Sequence, residues 1–272
     1  MNIQWQDETR LALRAAIEGG RIAMKSDAPL DVQVKESARD VVTSIDMEIE
    51  QSAIAILVES GYPVIGEETF SGKQFALDDR QLCWVVDAID GTANFVNGLE
   101  YFAVSIGLCQ GLNFLVGTVC LPRLQQIYCT LGADRALLNG RPLCHEHRTP
   151  SESLVAGSFS GSVGNPKQRA KQYTLFGQIN DQTRGCLRLG SASTNICFTA
   201  AGRLQAAYGM NAKLWDVAGA LAIAIAAGCD VQVTPSDAPF SVNYIVGSRS
   251  VVAMIRELCV AQGLMEESCQ TR

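Results

Sequence analysis

The sequence predicts a layered fold of the α/β or α+β class, in which helices pack on mixed sheets. The first half contains several consecutive strand-like segments and lacks a strict strand–helix–strand alternation. The segments after Pro150 do alternate between strands and helices. Such a mixture is typical of domains built from stacked layers. With 272 residues, 47% of them hydrophobic, the chain is long enough for a substantial core.

Hydrophobic periodicity predicts two helices in the first 60 residues. The first covers about residues 5–25, and the second begins at Thr43 and ends near residue 60. Thr43 precedes Asp46 by three residues, which is the spacing of a capping box. Four strands are predicted next, at 83–87, 101–109, 113–120 and 125–130.

The second half shows the alternating pattern. Its predicted strands lie at 154–159 and 204–208. Its predicted helices lie at 166–180, 191–201, 216–227 and 248–262. The sequence shows no flexible linker, so we expect a single domain over residues 1–272, with a subdivision into 1–150 and 151–272.

The composition excludes several classes of protein. Charged residues make up 18% of the chain, too few for an intrinsically disordered protein of this hydrophobicity. The net charge of -6 argues against a nucleic acid as the main partner. The first 20 residues are amphipathic rather than a signal peptide, and the most apolar run, 217–228, is shorter than the ~20 residues that span a bilayer. We therefore expect a cytoplasmic protein without membrane attachment.

The ten cysteines include no CxxC pair and lie mostly in apolar surroundings. We expect them to be small core residues in a reducing compartment. A zinc site at His145 and His147 is the alternative, with Cys144 and Glu146 as the close neighbours that could complete it.

Acidic residues follow a buried strand in the segment 84–95. Asp87 ends the apolar run, and Asp90 comes three residues later. In a continuous strand these two side chains would point to opposite faces, so we expect a turn at 88–91 that brings them together. Gly91 allows a tight backbone, and a short helix that starts after it would offer amide groups to a phosphate. The alternative is that both acids only cap a turn.

Two further acids complete the pattern. Glu67 lies in a Gly-Glu-Glu segment, and Asp216 lies at the head of an apolar helix, where its simplest role is that of an N-cap. Carboxylates on rigid elements form the oxygen-ligand sites that Mg²⁺ prefers.

Taken together, these segments resemble the inositol monophosphatase family, a branch of the Mg²⁺-dependent, lithium-sensitive phosphomonoesterases. The match covers roughly residues 10–260, with the motifs in the family's order. The motif residues are Lys35, Asp40–Asp46, Gly66–Glu68, Trp84–Phe95, Gly190–Ala192 and Trp215–Gly219. The resemblance implies an αβαβα five-layer sandwich of the inositol monophosphatase and fructose-1,6-bisphosphatase type, and the homodimer usual in the family.

The resemblance also implies two to three Mg²⁺ ions per active site. Glu67, Asp87 and the Ile89 carbonyl would bind the first ion. Asp87, Asp90 and Asp216 would bind the second. A third, weaker ion would rely on Glu67 and water, with Lys35 as its neighbour.

The remaining roles implied by the resemblance concern water and phosphate. Glu67 and Thr92 would position the attacking water, and Asp46 would hydrogen-bond to Thr92 behind it. The amides of Gly91 and Thr92 would bind the phosphate of the substrate. Asp90 would also contact the substrate, and Ala192 would line the alcohol-side pocket.

Two positions depart from the family pattern. Ala88 stands where the metal loop usually has proline, which stiffens the backbone. Gly209 stands where inositol-selective members carry a glutamate that binds sugar hydroxyls. We therefore expect an intact phosphate site without the inositol-binding group, and Lys213 nearby could favour a second anionic group.

The resulting prediction is a Mg²⁺-dependent phosphomonoesterase that hydrolyses a small phosphorylated metabolite, such as a sugar or polyol phosphate similar to inositol monophosphate. Fructose 1,6-bisphosphate, 3′-phosphoadenosine 5′-phosphate and NADP are alternative substrates with the same chemistry. An alternative of another class is a regulatory partner in an RNA-polymerase-associated complex, although the acidic charge disfavours direct binding to nucleic acid.

Overall fold

A computed structural model describes residues 4–25, 32–34, 41–70, 81–159 and 165–266 of the chain. The α-helices in this part are α1 (Gln6–Met24), α2 (Ser44–Leu57), α3 (Thr92–Val96), α4 (Pro166–Gln182), α5 (Ala192–Ala200), α6 (Leu214–Ala226) and α7 (Arg249–Ala261). The strands are β1 (Val32–Val34), β2 (Val41–Thr43), β3 (Val64–Gly66), β4 (Leu82–Asp90), β5 (Ala103–Gln110), β6 (Asn113–Leu121), β7 (Gln126–Thr130), β8 (Ala136–Leu138), β9 (Arg141–Leu143), β10 (Leu154–Phe159), β11 (Gly185–Leu187), β12 (Ala206–Lys213), β13 (Asp230–Pro235) and β14 (Ser241–Gly247).

Two large sheets organise the chain. The first sheet follows the sequence from β3 to β9, and it is antiparallel except for the parallel pair β3–β4. The second sheet has the order β11-β10-β12-β14-β13, with parallel pairing of β10 to β11 and β12 and antiparallel pairing of β14 to both its neighbours. The short strands β1 and β2 form a separate ribbon.

Alternation of side chains along each strand divides the core into three clusters. In β4, Trp84 and Val86 pack on the side of α1 and α2, whereas Val85 packs on the side of α5 and α6. In β14, Tyr244 faces α5 and α6, whereas Ile245 faces α4 and α7. The layers are therefore α1–α2, the first sheet, α5–α6, the second sheet and α4–α7, which confirms the predicted αβαβα sandwich.

Most predicted elements are observed within a few residues of their expected ends. The strand expected at 204–208 is longer and shifted, because β12 runs from Ala206 to Lys213. Eight strands were not predicted from the sequence: β1, β2, β3, β8, β9, β11, β13 and β14. Six of these have only three residues, so pairing with neighbouring strands defines them more than any local pattern does.

Most of the described cysteines are buried core residues, as expected, and His145 is buried as well. The nine described cysteines are free thiols, and seven of these are buried. His145 is buried, with Nδ1 lying 2.8 Å from the Thr199 carbonyl oxygen and Nε2 lying 3.0 Å from Ser248 Oγ. Both ring nitrogens are engaged, so the zinc alternative at His145 is not supported. Within the described ranges, no helix is long and apolar enough to cross a membrane.

Glycines allow α6 to pack directly against the first sheet. A Cβ atom added at Gly219 would lie 2.5 Å from the Ile106 carbonyl oxygen, and one at Gly117 would lie within 2 Å of the Gly219 carbonyl oxygen. These neighbours are backbone atoms, which cannot move aside as a flexible side chain can. The close approach positions the N-terminal turn of α6, and therefore Asp216, beside β4 and β5.

We predict that Gly219→Ala lowers the free energy of unfolding by at least ~1–3 kcal/mol, the usual cost of overpacking. Gly177→Ala in α4 is the control, because a Cβ there meets nothing within 4 Å in the described part of the chain. That change should be neutral or stabilise by up to ~1 kcal/mol through helix propensity. Urea unfolding of both variants tests this, and equal midpoints would contradict it.

Candidate active site

Asp87 and Asp90 are brought to one side by a β-bulge. Strand β4 continues through both residues, and Asp87 pairs with Ser105 whereas Asp90 pairs with Ala103. Three steps along β4 therefore match two along β5, so one residue is extra. The prediction of a turn at 88–91 is therefore wrong. The strand stays extended to Asp90, and the extra residue changes which side chains point to each face of the sheet. The chain turns only at Gly91.

Gly91 ends the strand and precedes helix α3. Its φ of 93° lies in the left-handed region, which glycine adopts without a steric penalty. A Cβ there would also lie 3.1 Å from the Tyr101 carbonyl oxygen. The amides of Gly91 and Thr92 lie at the start of α3, where a helix supplies no acceptor of its own. The position is compatible with the phosphate contact that the resemblance implies.

Glu67 follows β3, and the backbone after it is hydrogen-bonded to the carboxylate of Glu50. Glu50 was not predicted from the sequence as part of the site. The Glu67 amide donates to the Val86 carbonyl oxygen at 3.2 Å, which continues the β3–β4 pairing. Glu50 is fully buried, and its carboxylate accepts the amides of Glu68 at 2.8 Å and Thr69 at 2.9 Å. A Cβ at Gly66 would overlap the Glu50 carboxylate. The sequence signal was a charged residue on the buried face of an amphipathic helix.

Asp216 lies in the first turn of α6 and is not its N-cap. The helix begins at Leu214, with Lys213 as the N-cap residue. The Asp216 carboxylate accepts a hydrogen bond from the Lys213 amide, as an acid at the third helical position can. The N-cap interpretation from the sequence is therefore wrong by three residues, although Asp216 still stabilises this helix end.

Three of the predicted metal ligands converge. One carboxylate oxygen from each of Glu67, Asp87 and Asp216 lies within 4.8 Å of the others. Burial raises the pKa of the Asp87 carboxyl, and the charges of Glu67, Asp90 and Asp216 raise it further. Burial likewise raises the pKa of Asp216, followed by the charges of Asp90 and Glu67. A hard cation would remove this repulsion, so the donor set fits Mg²⁺.

The charge of Asp90 acts on Asp87, and the Asp90 carboxylate is also hydrogen-bonded to the start of α5. It accepts hydrogen bonds from the Ser191 hydroxyl at 2.6 Å, the Ser193 amide at 2.6 Å and the Ala192 amide at 3.2 Å. Burial raises the pKa of Asp90 to about 6 despite these hydrogen bonds. A carboxylate has about four acceptor sites, so metal binding remains compatible with these bonds. The backbone of Ala192 therefore lies directly beside Asp90, and its predicted role in the substrate pocket stays a prediction.

Thr92 and Asp46 have other partners than the resemblance implies. The Thr92 hydroxyl donates to the Ile89 carbonyl oxygen at 2.9 Å rather than to Asp46. The Asp46 carboxylate accepts the Thr43 amide at 2.9 Å and the Thr43 hydroxyl at 2.6 Å. Burial raises the pKa of Asp46, against the Thr43 hydrogen bonds, and the charge of Glu67 raises it further. Asp46 is therefore close to the acidic group, and its predicted role behind Thr92 stays a prediction.

Asn94 connects helix α3 to the segment that leads into α5. Its side-chain amide donates to the carbonyl oxygens of Tyr101 at 2.6 Å and Leu189 at 2.7 Å.

Two lysines were also predicted near the site. Lys35, the expected neighbour of the weak metal ion, lies outside the described residues. Lys213 is positioned over the Trp215 ring, 5.8 Å from its centroid, and its charge lowers the pKa of Asp216.

Comparison with known proteins identifies the family of this chain. The sequence model of the inositol monophosphatase family matches residues 4–265. The chain belongs to the inositol monophosphatase family. It is therefore a phosphatase, a phosphoric monoester hydrolase, and the enzymes of this family act on small phosphorylated substrates.

Relatives in this family match most of the chain. The Nus factor SuhB of Pseudomonas aeruginosa is 34% identical over 255 residues, which cover 90% of this chain and 92% of the relative. Inositol monophosphatase 1 of Bos taurus is 30% identical over 256 residues, which cover 92% of this chain and 90% of the relative. The crystal structure of the extragenic suppressor protein suhB from Bartonella henselae superposes with a TM-score of 0.79 at 22% identity, covering 93% of this chain and 98% of that one. This last similarity supports the fold.

The raised pKa of Asp90 predicts a pH-dependent stability in the absence of divalent cations. Folded Asp90 keeps its proton up to about pH 6, whereas the unfolded residue loses it near 3.8. Stability should therefore fall as pH rises through this window. Asp90→Asn should remove that component, and urea unfolding from pH 4 to 7 in EDTA measures it.

The control for this pH series is Asp181→Asn, which changes an exposed acid of α4. It should show the pH dependence of the unmodified protein. If the free energy of unfolding changed with pH by the same amount in Asp90→Asn and Asp181→Asn, the prediction would be contradicted.

Proposed function

We propose that this protein is a Mg²⁺-dependent phosphomonoesterase that hydrolyses a small phosphorylated metabolite by direct attack of water. The observation that carries the proposal is the convergence of Glu67, Asp87 and Asp216 within 4.8 Å, with Asp90 in electrostatic contact. When bound, Mg²⁺ supplies charge neutralisation and activation of the attacking water. Two to three ions per site, held by these acids and the Ile89 carbonyl, belong to the proposal.

The residues of the chain supply orientation and hydrogen bonds. Glu67 and the Thr92 hydroxyl position the attacking water through hydrogen bonds. The amides of Gly91 and Thr92 donate to the phosphate. Asp90, held by its hydrogen bonds to the start of α5, places the pocket wall around Ala192. Phosphoryl transfer depends mainly on such positioning and on charge stabilisation, so no covalent intermediate on the protein is required.

We predict that Asp87→Asn reduces Mg²⁺-dependent phosphate release by about a hundredfold or more, because it removes one negative charge from the centre of the site. Phosphate release should be measured with and without Mg²⁺, next to a thermal melt that reports folding. The control is again Asp181→Asn, which should retain the activity. Near-normal turnover by Asp87→Asn would contradict the proposed site.

We further propose that the substrate is broader than inositol phosphate or different from it. Gly209 provides no side chain to bind sugar hydroxyls. A panel of inositol monophosphate, glycerol 2-phosphate, fructose 1,6-bisphosphate, 3′-phosphoadenosine 5′-phosphate and NADP, with and without Li⁺, tests this. A preference above about tenfold for inositol phosphate would contradict it. The homodimer and the lithium sensitivity implied by the resemblance, and the cytoplasmic location expected from the sequence, remain predictions.

A second candidate function follows from the name of one relative. The protein from Pseudomonas aeruginosa that is 34% identical is called a Nus factor. On this basis, the chain could act as a regulatory partner in an RNA-polymerase-associated complex, independently of catalysis. The Asp87→Asn variant separates the two functions, because it should fail to rescue a deletion phenotype that depends on phosphatase activity. Full rescue by this inactive variant would favour the regulatory role.

A further inference from the structure

Three aromatic residues, Phe70, Trp215 and Phe240, form a cluster that joins two segments carrying predicted metal ligands. The ring centroids of Phe70 lie 5.4 Å from Trp215 and 4.9 Å from Phe240, and those of Trp215 and Phe240 are 6.0 Å apart. Aromatic rings attract each other at such separations. Trp215 and Phe240 are buried, whereas Phe70 is half-buried and therefore lies at the edge of this aromatic cluster.

Phe240 fixes the start of α6 as well as one side of the aromatic cluster. Its carbonyl oxygen accepts the Leu214 amide at 2.9 Å, which satisfies the first amide of the helix. Its φ of 55° lies in the left-handed region, which a bulky residue adopts only where the surrounding structure holds it. The backbone and the ring of Phe240 therefore support the helical turn that carries Trp215 and Asp216.

Glu67 is the predicted metal ligand with the least support from secondary structure. It follows β3, the three-residue strand at the edge of the first sheet. Asp87, in contrast, lies inside β4, which pairs with a strand on either side, and Asp216 lies in a mostly buried helix. The position of Glu67 therefore depends more on the contacts of the segment that follows it.

This segment is held on two sides. On the side of α2, the Glu50 carboxylate accepts two backbone amides that follow Glu67. On the side of α6, the Phe70 ring packs against Trp215, the residue immediately before Asp216. Phe70 is three residues after Glu67, so its packing connects the chain at one metal ligand directly to the chain at another.

Repulsion between the acids opposes this arrangement in the absence of a cation. Burial raises the pKa of Asp87, and the charge of Glu67 is the next cause that raises it. Oxygens of Glu67, Asp87 and Asp216 lie within 4.8 Å of one another, and like charges at such distances repel. Glu67, at the edge of its sheet, is the acid that can move away with the least disruption. Packing of Phe70 against the start of α6 opposes that movement.

We propose that Phe70 is a positioning residue of the metal site: its ring, packed against Trp215 and Phe240, keeps Glu67 close to Asp216 and so raises the affinity of the site for divalent cations. The inference rests on the proposed Mg²⁺-dependent function. Phe70 needs no contact with the cation or the substrate, because it acts through Glu67. A ligand group that is already in place loses less freedom when the cation binds, so the cation binds more tightly.

The test measures Mg²⁺ binding through the stabilisation that it gives to the full chain. Melting temperatures at increasing Mg²⁺ concentration yield the concentration of half-maximal stabilisation, a readout that does not depend on phosphate release. Phe70→Ala should raise this concentration about tenfold, because the packing against two rings is lost. Phe70→Tyr, which keeps the ring at a half-buried position, should stay within about twofold of the unmodified protein.

Phe176→Ala is the matched control. Phe176 in α4 is also half-buried, and its ring lies 5.7 Å from that of Phe159 on the α4–α7 side of the second sheet. This variant should melt at a lower temperature without Mg²⁺, but its Mg²⁺ concentration of half-maximal stabilisation should not change. A merely structural role of Phe70 would give the same result in Phe70→Ala.

Two results would overturn the inference while leaving the phosphatase proposal intact. Phe70→Ala could bind Mg²⁺ as tightly as the unmodified protein, or Phe176→Ala could weaken binding as much as Phe70→Ala does. If Phe70→Ala is unfolded without Mg²⁺, Phe70→Leu decides the test in the same way, with an expected increase of about threefold or more. Failure of the phosphatase proposal looks different, because the unmodified protein would then release no phosphate in the presence of Mg²⁺.

Discussion

Repulsion among buried carboxylates is the constraint on which the centre of this structure depends. Asp87 and Asp90 are almost inaccessible to solvent, and the pKa of each is raised, first of all by burial. Glu67 and Asp216 add their charges to the same small volume. Like charges in such an environment do not approach each other unless the surrounding structure holds them there. The acid surplus of six in the whole chain is therefore partly concentrated in one site that suits cations.

Each acid is held by a different structural device. A bulge in β4 brings Asp87 and Asp90 to one side, and the start of α5 binds the Asp90 carboxylate. Glu50 binds the amides that follow Glu67, and direct backbone contact between α6 and the first sheet positions Asp216. These devices come from three of the five layers, namely α1–α2, the first sheet and α5–α6. Rigid elements of this kind hold the acids in place before any ligand binds.

Much of the fold could be predicted, for reasons visible in particular segments. Helices α1 and α7 follow the 3.6-residue periodicity of their apolar positions, and the apolar run before Asp87 indicates a buried strand. The bulge could not be predicted, because it depends on how β4 pairs with β5. Glu50 was missed for a similar reason: its partners are amides 18 and 19 residues away, and the local pattern shows only an acid on a helix.

The sequence by itself determined the chemistry of the site, because the ordered acidic motifs name the groups that can bind a metal and a phosphate. It also indicated that Gly209 lacks the side chain used to bind inositol. Only the tertiary structure decided what takes that space. Tyr244 and Ser158 are 86 residues apart and meet over Gly209 because β10, β12 and β14 are neighbours in one sheet. Strand order depends on long-range pairing and packing, which a local sequence pattern does not record.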